Sequence, residues 1–216
     1  MKPMNIKLVT LVLFSLICFS ANQNNKKQVL IIGDSISIGY TPFVEKSVAS
    51  VAVVAHNPGN GGSTIRGVEN IENWIDNQEW DVIVFNFGLH DLVHKDQNNK
   101  YDINGNVAVT LEQYRENLET IVAKLRETTA TLLFVTTTMV PINSSGRRPE
   151  DPARYNEVAK EVMGKNEIGI IDLYSESLSI HPQNSKPGNV HYTPEGYELL
   201  AKHVTNAIQQ VLENKH

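Results

Sequence analysis

The chain has 216 residues, with 24 acidic side chains against 19 lysine and arginine side chains and a formal net charge of −5. This acidic balance disfavours nucleic acid or an anionic membrane surface as a partner. Because Cys18 is the only cysteine, the chain cannot form an internal disulfide, and its length suits one domain with a sizeable core.

Residues 1–21 have the pattern of a secretory signal. Two lysines form a basic start, and an apolar run follows over residues 8–19. This run is shorter than the ~18 to 20 residues of a membrane-spanning helix, and the small residues Ser20 and Ala21 come after it, as at a cleavage site. We therefore predict a cleavable signal, with a retained N-terminal anchor as the alternative.

A lipid-modified cysteine is a second alternative, since Cys18 lies near the end of the apolar run. Ile17 disfavours it, because lipoprotein signals resemble a pattern with a small residue at that position. Removal of the signal would take away two lysines and no acid, which changes the formal charge from −5 to 17 − 24 = −7. We expect a secreted or periplasmic domain over residues 28–216, without membrane association after cleavage.

Short β-branched runs alternate with longer segments of helical period from residue 28 onward, which is typical of βα units around a parallel sheet. Residues 29–32 form a continuous apolar run that ends at a glycine, as expected of a strand buried on both faces. Further strands are predicted over residues 51–55, 82–87, 132–136 and 168–171.

Apolar residues recur at three- and four-residue steps in three segments, which predicts helices that each lay one face on the sheet. These residues are Leu111, Tyr114, Leu118, Ile121, Val122 and Leu125; Tyr155, Val158, Ala159, Val162 and Met163; and Tyr197, Leu200, Val204, Ile208 and Val211. Thr193 and Pro194 supply an N-cap and a first-turn proline for the last helix. The fold class predicted is α/β, a flavodoxin-like three-layer α/β/α sandwich with a central parallel five-stranded sheet.

Two long polar connections, residues 95–109 and 141–151, interrupt this pattern. Loops of such length in compact domains are often functional. Asn143, Arg147 and Arg148 lie on the second of them. They are candidates for contact with an acidic or hydroxylated substrate, although solvated loop residues are the simpler interpretation.

The sequence GDSIS, residues 33–37, follows the first predicted strand and precedes a segment that can form a helix. A serine at the carboxyl edge of a strand faces the crevice where α/β proteins bind ligands, and a helix N-terminus favours negative charge nearby. Ser35 is therefore a candidate nucleophile that needs a base within hydrogen-bond reach. The alternative is an ordinary N-cap or turn serine.

Two further motifs follow strands at the same edge of the sheet. NPGNGGST, residues 57–64, has glycines whose backbone N–H groups can approach a ligand closely, although a plain flexible loop is the alternative. NFGLHDL, residues 86–92, places His90 and Asp91 at the crevice, where they are either functional or a structural hydrogen-bonded pair. A metal site made of His90, Asp91 and His94 is disfavoured because the motif HExxH is absent.

The fourth motif is NVHYTPEGY, residues 189–197, in which His191 lies on a polar loop just before the capped helix. Such a histidine can act as general base toward Ser35 and then as general acid toward a leaving alcohol. A surface histidine without a role is the alternative, since the chain has seven histidines.

Together the four motifs resemble those of the SGNH (GDSL-type) hydrolases, and the resemblance extends from residue 29 to the last helix. It implies that Ser35 is the nucleophile, that His191 is the base, and that the Ser35 and Gly62 N–H groups belong to the oxyanion hole. His90 stands where the family has an oxyanion asparagine. Asp91 is a possible supporting residue.

The family's acid is missing, because Gly188 stands three residues before His191 where an aspartate is usual. Asn189, two residues before His191, is a possible support, so we predict a Ser-His dyad held by a neutral acceptor or by an acid from elsewhere.

The expected function is that of an exported serine esterase that hydrolyses short acyl esters, with acetyl as the expected group, on a carbohydrate or another small-molecule alcohol. The carbohydrate preference comes only from the resemblance. No cofactor, metal or nucleic acid is expected. The alternatives are a lipid or thioester acylhydrolase of the same fold, and a non-catalytic glycan-binding descendant.

Overall fold

The computed structural model describes residues 26–76 and 78–214, so the predicted signal lies outside the described residues. The strands in these ranges are β1 (Lys27–Ile32), β2 (Ala52–His56), β3 (Val82–Phe85), β4 (His94–Lys95), β5 (Asn106–Val107), β6 (Thr131–Val135) and β7 (Gly169–Ile171). The helices are α1 (Ser35–Val48), α2 (Thr64–Ile75), α3 (Leu111–Leu125), α4 (Asp151–Lys165), α5 (Leu173–Ile180) and α6 (Pro194–Glu213), and a 3₁₀ turn follows α5 at His181–Gln183.

Five strands form one parallel sheet in the order β2-β1-β3-β6-β7. This is the flavodoxin-like order, with β1 and β3 in the interior of the sheet. All four residues of β3 are fully buried, which explains why the strand appears in the sequence as a continuous apolar run. The predicted five-stranded parallel sheet is confirmed, with strand ends that differ by one or two residues from the prediction.

Helices cover both faces of the sheet and complete the three layers that the sequence predicts. On one face α1 packs along α6, which also contacts α5, and on the other α3 packs between α2 and α4. The parallel strands place all their carboxyl ends at one edge, where the loops after β1, β2 and β3 meet. No helix within the described ranges is both long and apolar enough to span a membrane.

The polar connection over residues 95–109 holds an antiparallel hairpin, β4 and β5, that the sequence did not predict. Its strands have two residues each, so they are too short to show an alternating apolar pattern. Long-range contacts fix the hairpin instead: His94 Nε2 lies 3.2 Å from Asp151 Oδ2, with both side chains buried, and the His94 N–H donates to the Gly146 carbonyl at 2.6 Å.

Asp91 connects the loop after β3 to the first turn of α2. Its Oδ1 accepts hydrogen bonds from the Thr64 N–H at 2.8 Å and the Thr64 hydroxyl at 2.5 Å. The side chain is fully buried, and Oδ2 has no hydrogen-bond partner within the described residues. Burial raises the pKa of Asp91 to about 7, although the bonds from Thr64 act in the opposite direction.

We predict that Gly67→Ala destabilises the protein. A Cβ atom at residue 67 would lie 2.7 Å from Ile121 Cδ1 and from Phe87 Cζ, and both neighbours are fully buried. Such overpacking should lower the free energy of unfolding by about 1 to 3 kcal/mol. Urea denaturation of the variant and the wild type measures this difference. The matched control is Gly164→Ala, where a Cβ meets nothing within 4 Å; it should stabilise the protein by roughly 0.5 to 1 kcal/mol. Equal stability of the Gly67→Ala variant and the wild type would contradict the prediction.

A second prediction concerns pH and Asp91. The ordinary pKa of the carboxyl group is 3.8, and the folded-state value of about 7 is higher, so the folded chain binds more protons between these two pH values. The contribution of Asp91 to stability is therefore greatest in acid and is lost as the pH rises through about 7.

Asp91→Asn removes this dependence and keeps an oxygen for Thr64. The free energy of unfolding of the wild type minus that of the variant should fall by on the order of 1 to 3 kcal/mol between about pH 5 and pH 8. Asp102→Asn serves as a control at a half-exposed carboxyl group. A difference between the wild type and the Asp91→Asn variant that stays constant over this pH range would refute the assignment.

Candidate active site

Ser35 is the first residue of α1 and comes three residues after the end of β1. Asp34 caps the helix, since its Oδ1 accepts from the Ile36 N–H at 2.9 Å. The first N–H groups of a helix have no partner inside the helix, so the Ser35 N–H makes no intrahelical bond. Two bonds to Gly33 hold this turn: its N–H donates to Asn57 Oδ1 and its carbonyl accepts from the Gly61 N–H, each at 2.8 Å.

The structure brings His191 to Ser35 across 156 positions of sequence. His191 Nε2 lies 2.9 Å from Ser35 Oγ. On the other side of the ring, Nδ1 lies 2.9 Å from Asn189 Oδ1, which also accepts from the His191 backbone N–H at 3.0 Å. Because an amide oxygen only accepts, Nδ1 carries the hydrogen and Nε2 is free to accept a proton from Ser35. This is the tautomer that a general base requires.

The backbone conformation explains why no aspartate occupies residue 188. Gly188 has a φ of +70°, in the left-handed region that favours glycine. A Cβ there would also lie 3.0 Å from the carbonyl oxygen of Asn143. An aspartate at this position would therefore be strained and crowded. Asn189, which is one residue nearer to His191 in the sequence, contacts the ring instead.

His181 supports the loop of His191, and no sequence motif pointed to it. Its Nε2 donates to the Asn189 carbonyl at 2.7 Å, and its Nδ1 accepts from the Ser185 hydroxyl at 3.0 Å. The ring is buried and packs edge-on against Tyr192, with 5.1 Å between the ring centroids. The residue that contacts His191 is thus itself held by a buried histidine.

The predicted oxyanion donors differ in their surroundings. Gly62 has a φ of +68°, and its N–H donates to Asn60 Oδ1 at 2.8 Å, an interaction that the sequence did not predict. His90 is half-buried. Burial lowers its pKa, and the positive charges of Arg147 and Lys95 lower it further against the opposing effect of Asp34. His90 is therefore neutral near pH 7, with one ring N–H to donate.

Arg147 is buried, which corrects the interpretation of this residue as a solvated loop side chain. Its Nε donates to the Leu89 carbonyl at 2.9 Å, and its guanidinium lies 5.6 Å from the centroid of the Tyr101 ring. Arg148 donates to the Ile103 carbonyl at 3.0 Å. Arg147 thus joins the connection 141–151 to the loop after β3, and Arg148 joins it to the β4–β5 hairpin.

Asp91 does not pair with His90, because it binds Thr64, and His94 binds Asp151. Across the described residues, no group of three or more histidine, cysteine, aspartate or glutamate side chains is arranged to hold a metal ion.

A second serine and histidine pair, Ser37 and His56, lies next to the turn that carries Ser35. Ser37 Oγ is 2.7 Å from His56 Nε2 and also 2.7 Å from the Asp34 carbonyl, to which it can donate. Ser37 is only 1% exposed, so it cannot reach a substrate. Burial lowers the pKa of His56. This pair braces the turn and does not form a second reactive centre.

Comparisons with known proteins identify the family of the chain. Residues 31–199 match the model of the GDSL-like lipase/acylhydrolase family. An arylesterase from Vibrio mimicus is 21% identical over 214 residues, which cover 94% of this chain and 98% of that protein.

Solved structures share the fold. A lipase/acylhydrolase from Enterococcus faecalis has a TM-score of 0.70 and 21% identity, covering 85% of this chain and 96% of its own. Axe2, an acetylxylan esterase from Geobacillus stearothermophilus, has a TM-score of 0.69 and 16% identity, covering 84% of this chain and 94% of its own. Since the family model spans most of the sheet and all four motifs at its carboxyl edge, the chain belongs to the GDSL-like lipase/acylhydrolase family and is an esterase or acylhydrolase that acts on ester bonds.

Proposed function

We propose that the protein is an exported serine esterase that removes short acyl groups, in particular acetyl, from a carbohydrate through an acyl-enzyme on Ser35. The observation that carries the mechanism is the 2.9 Å contact between Ser35 Oγ and His191 Nε2. Export rests on the signal-like segment 1–21. The substrate class is motivated by two structural neighbours that are acetyl xylan esterases.

In acylation, the Ser35 hydroxyl transfers its proton to His191 Nε2 while its oxygen attacks the ester carbonyl carbon. The carbonyl electron pair moves to the oxygen and forms a tetrahedral oxyanion. Collapse of this intermediate breaks the bond to the alcohol, which takes the proton from Nε2 as it leaves. Water then repeats these steps on the acyl-enzyme, so that one ester and one water yield one alcohol and one acid.

The oxyanion would be bound by the Ser35 N–H, the Gly62 N–H and the neutral His90 ring. A single preorganised donor is worth ~3 kcal/mol in studied hydrolases. For Gly62 to contribute, the oxyanion has to replace Asn60 Oδ1 as its acceptor. Asn60 is half-exposed, so its amide can turn to water at little cost when substrate enters.

An amide beside the histidine of a catalytic triad can leave the imidazole in the wrong tautomer, and the contacts of Asn189 avoid this. In a studied protease, replacement of the acid by an amide costs ~10⁴ in rate because the imidazole takes the wrong tautomer. Here the His191 backbone N–H also binds Asn189 Oδ1, which keeps the amide oxygen toward the ring. The tautomer is therefore correct, although the imidazolium lacks a carboxylate partner at this position.

The mechanism predicts that Ser35→Ala and His191→Ala each lower kcat on p-nitrophenyl acetate by ~10³-fold or more, because each removes a member of the dyad. The matched controls are Ser47→Ala on the exposed part of α1 and His203→Ala on α6, which should keep wild-type rates. p-Nitrophenyl esters of increasing acyl length should show the highest kcat/KM for acetate. Full hydrolysis by Ser35→Ala would disprove the acyl-enzyme, and a preference for long chains would favour a lipid or thioester acylhydrolase.

The role of Asn189 can be tested with two variants. Asn189→Ala removes the acceptor that fixes the ring, so kcat should fall roughly 10- to 100-fold, less than for loss of Ser35 or His191. Asn189→Asp places a carboxylate beside Nδ1, which favours the protonated imidazole, so the acidic limb of the profile of kcat/KM against pH should move to higher pH. If both variants match the wild type from about pH 5 to pH 9, Asn189 does not orient His191.

A further inference from the structure

We propose that the cavity between His90 and the β4–β5 hairpin binds the alcohol part of the substrate, as a sugar ring stacked on Tyr101. This assignment rests on the proposed function and names the place where that function selects its substrate. It concerns the hairpin over residues 94–107, most of which lies in the segment 95–109 that the sequence predicted only as a polar connection.

The cavity has a volume of about 420 Å³, which lies within the range of ~300 to 1,000 Å³ typical of small-molecule sites. Ser63 and His90 line it on the side of the proposed oxyanion hole. Polar and aromatic residues of the hairpin also line it, namely Lys95, Asp96, Asn99, Tyr101 and Asn106. Because His90 belongs to both places, a ligand in this cavity lies next to the proposed reaction centre.

The free groups of the lining suit a polyhydroxylated ring. The side chains of Lys95, Asn99 and Asn106 make no hydrogen bond to the rest of the described chain, so they can bind hydroxyl groups. Tyr101 is 52% exposed, and its ring can pack against the C–H face of a sugar. The apolar part of the lining includes Val93 and Val109, which are almost fully buried.

A lipid chain fits this cavity less well. It would cover the ammonium of Lys95 and the amides of Asn99 and Asn106 without offering hydrogen bonds, and unpaired polar groups removed from water cost free energy. A sugar meets both requirements, with hydroxyl groups for the polar rim and C–H faces for the apolar part.

The hairpin holds Tyr101 in place before any ligand binds. Tyr101 forms a bridge to Lys95, and the Arg147 guanidinium lies 5.6 Å from the centroid of the ring. The buried contact between His94 and Asp151, at 3.2 Å, anchors the hairpin to α4. A preorganised aromatic surface lowers the entropy cost of binding.

The test compares two substrates of the same acyl group. Acetylated sugars (glucose pentaacetate and acetylated xylo- and cello-oligosaccharides) present a sugar alcohol, and p-nitrophenyl acetate does not. In Tyr101→Ala and Asn106→Ala, the ratio of kcat/KM for the sugar acetates to kcat/KM for p-nitrophenyl acetate should fall ~10-fold or more, mainly through KM. Tyr101→Phe keeps the ring and should restore the ratio.

Matched controls come from the same hairpin. Ile103→Ala and Asn104→Ala change exposed residues that do not line the cavity, and both should keep the wild-type ratio. A ratio unchanged in Tyr101→Ala and Asn106→Ala for every sugar acetate would overturn the assignment, and so would an equal loss in Ile103→Ala and Asn104→Ala.

A calorimetric arm separates this proposal from the proposed function. Deacetylated xylotetraose and cellotetraose are titrated into Ser35→Ala and into Ser35→Ala combined with Tyr101→Ala. If Tyr101→Ala weakens this binding ~10-fold or more, the result supports the sugar site even if the wild type hydrolyses no ester. Absent binding, or binding that Tyr101→Ala leaves unchanged, counts against the site even if Ser35-dependent hydrolysis of p-nitrophenyl acetate is observed.

Discussion

The close packing of α1 on α6 sets the distance on which the proposed chemistry depends. Gly39 on α1 lies against the Tyr197 ring of α6, where any Cβ would overlap the ring. Ser35 begins α1, and His191 lies three residues before the start of α6. Because the two helices start at the same edge of the sheet and pack this tightly, Ser35 Oγ and His191 Nε2 meet at 2.9 Å.

The support of His191 shows how a local backbone conformation can change which residue contacts the histidine of a Ser-His pair. An aspartate at the left-handed residue 188 would be strained and crowded, and Asn189 reaches Nδ1 of His191 instead. His181 then holds Asn189 through its carbonyl group. Orientation of the imidazole is kept, while the charge that would stabilise imidazolium is not supplied by this residue. Orientation and charge, which one aspartate usually provides together, are thus separate properties of the site.

The hairpin β4–β5 and the connection 141–151 together form a wall beside the crevice. Arg147 ties them, since it donates to Leu89 and lies near the Tyr101 ring. Its charge also lowers the pKa of His90. Burial has the largest effect on that pKa, and Lys95, which lines the proposed substrate cavity, lowers it as well.

The sequence by itself determined the fold class, the five parallel strands and the meeting of Ser35 with His191 at one edge of the sheet. A local pattern of apolar residues shows which residues of a buried strand or an amphipathic helix face the core, and the motifs follow the strand ends directly. Tertiary structure alone decided the bond of Asp91 to Thr64, the burial of Arg147 and the support from His181. These interactions join separate segments, and in each case the partner is set by three-dimensional packing, which a local pattern of apolar residues does not reveal.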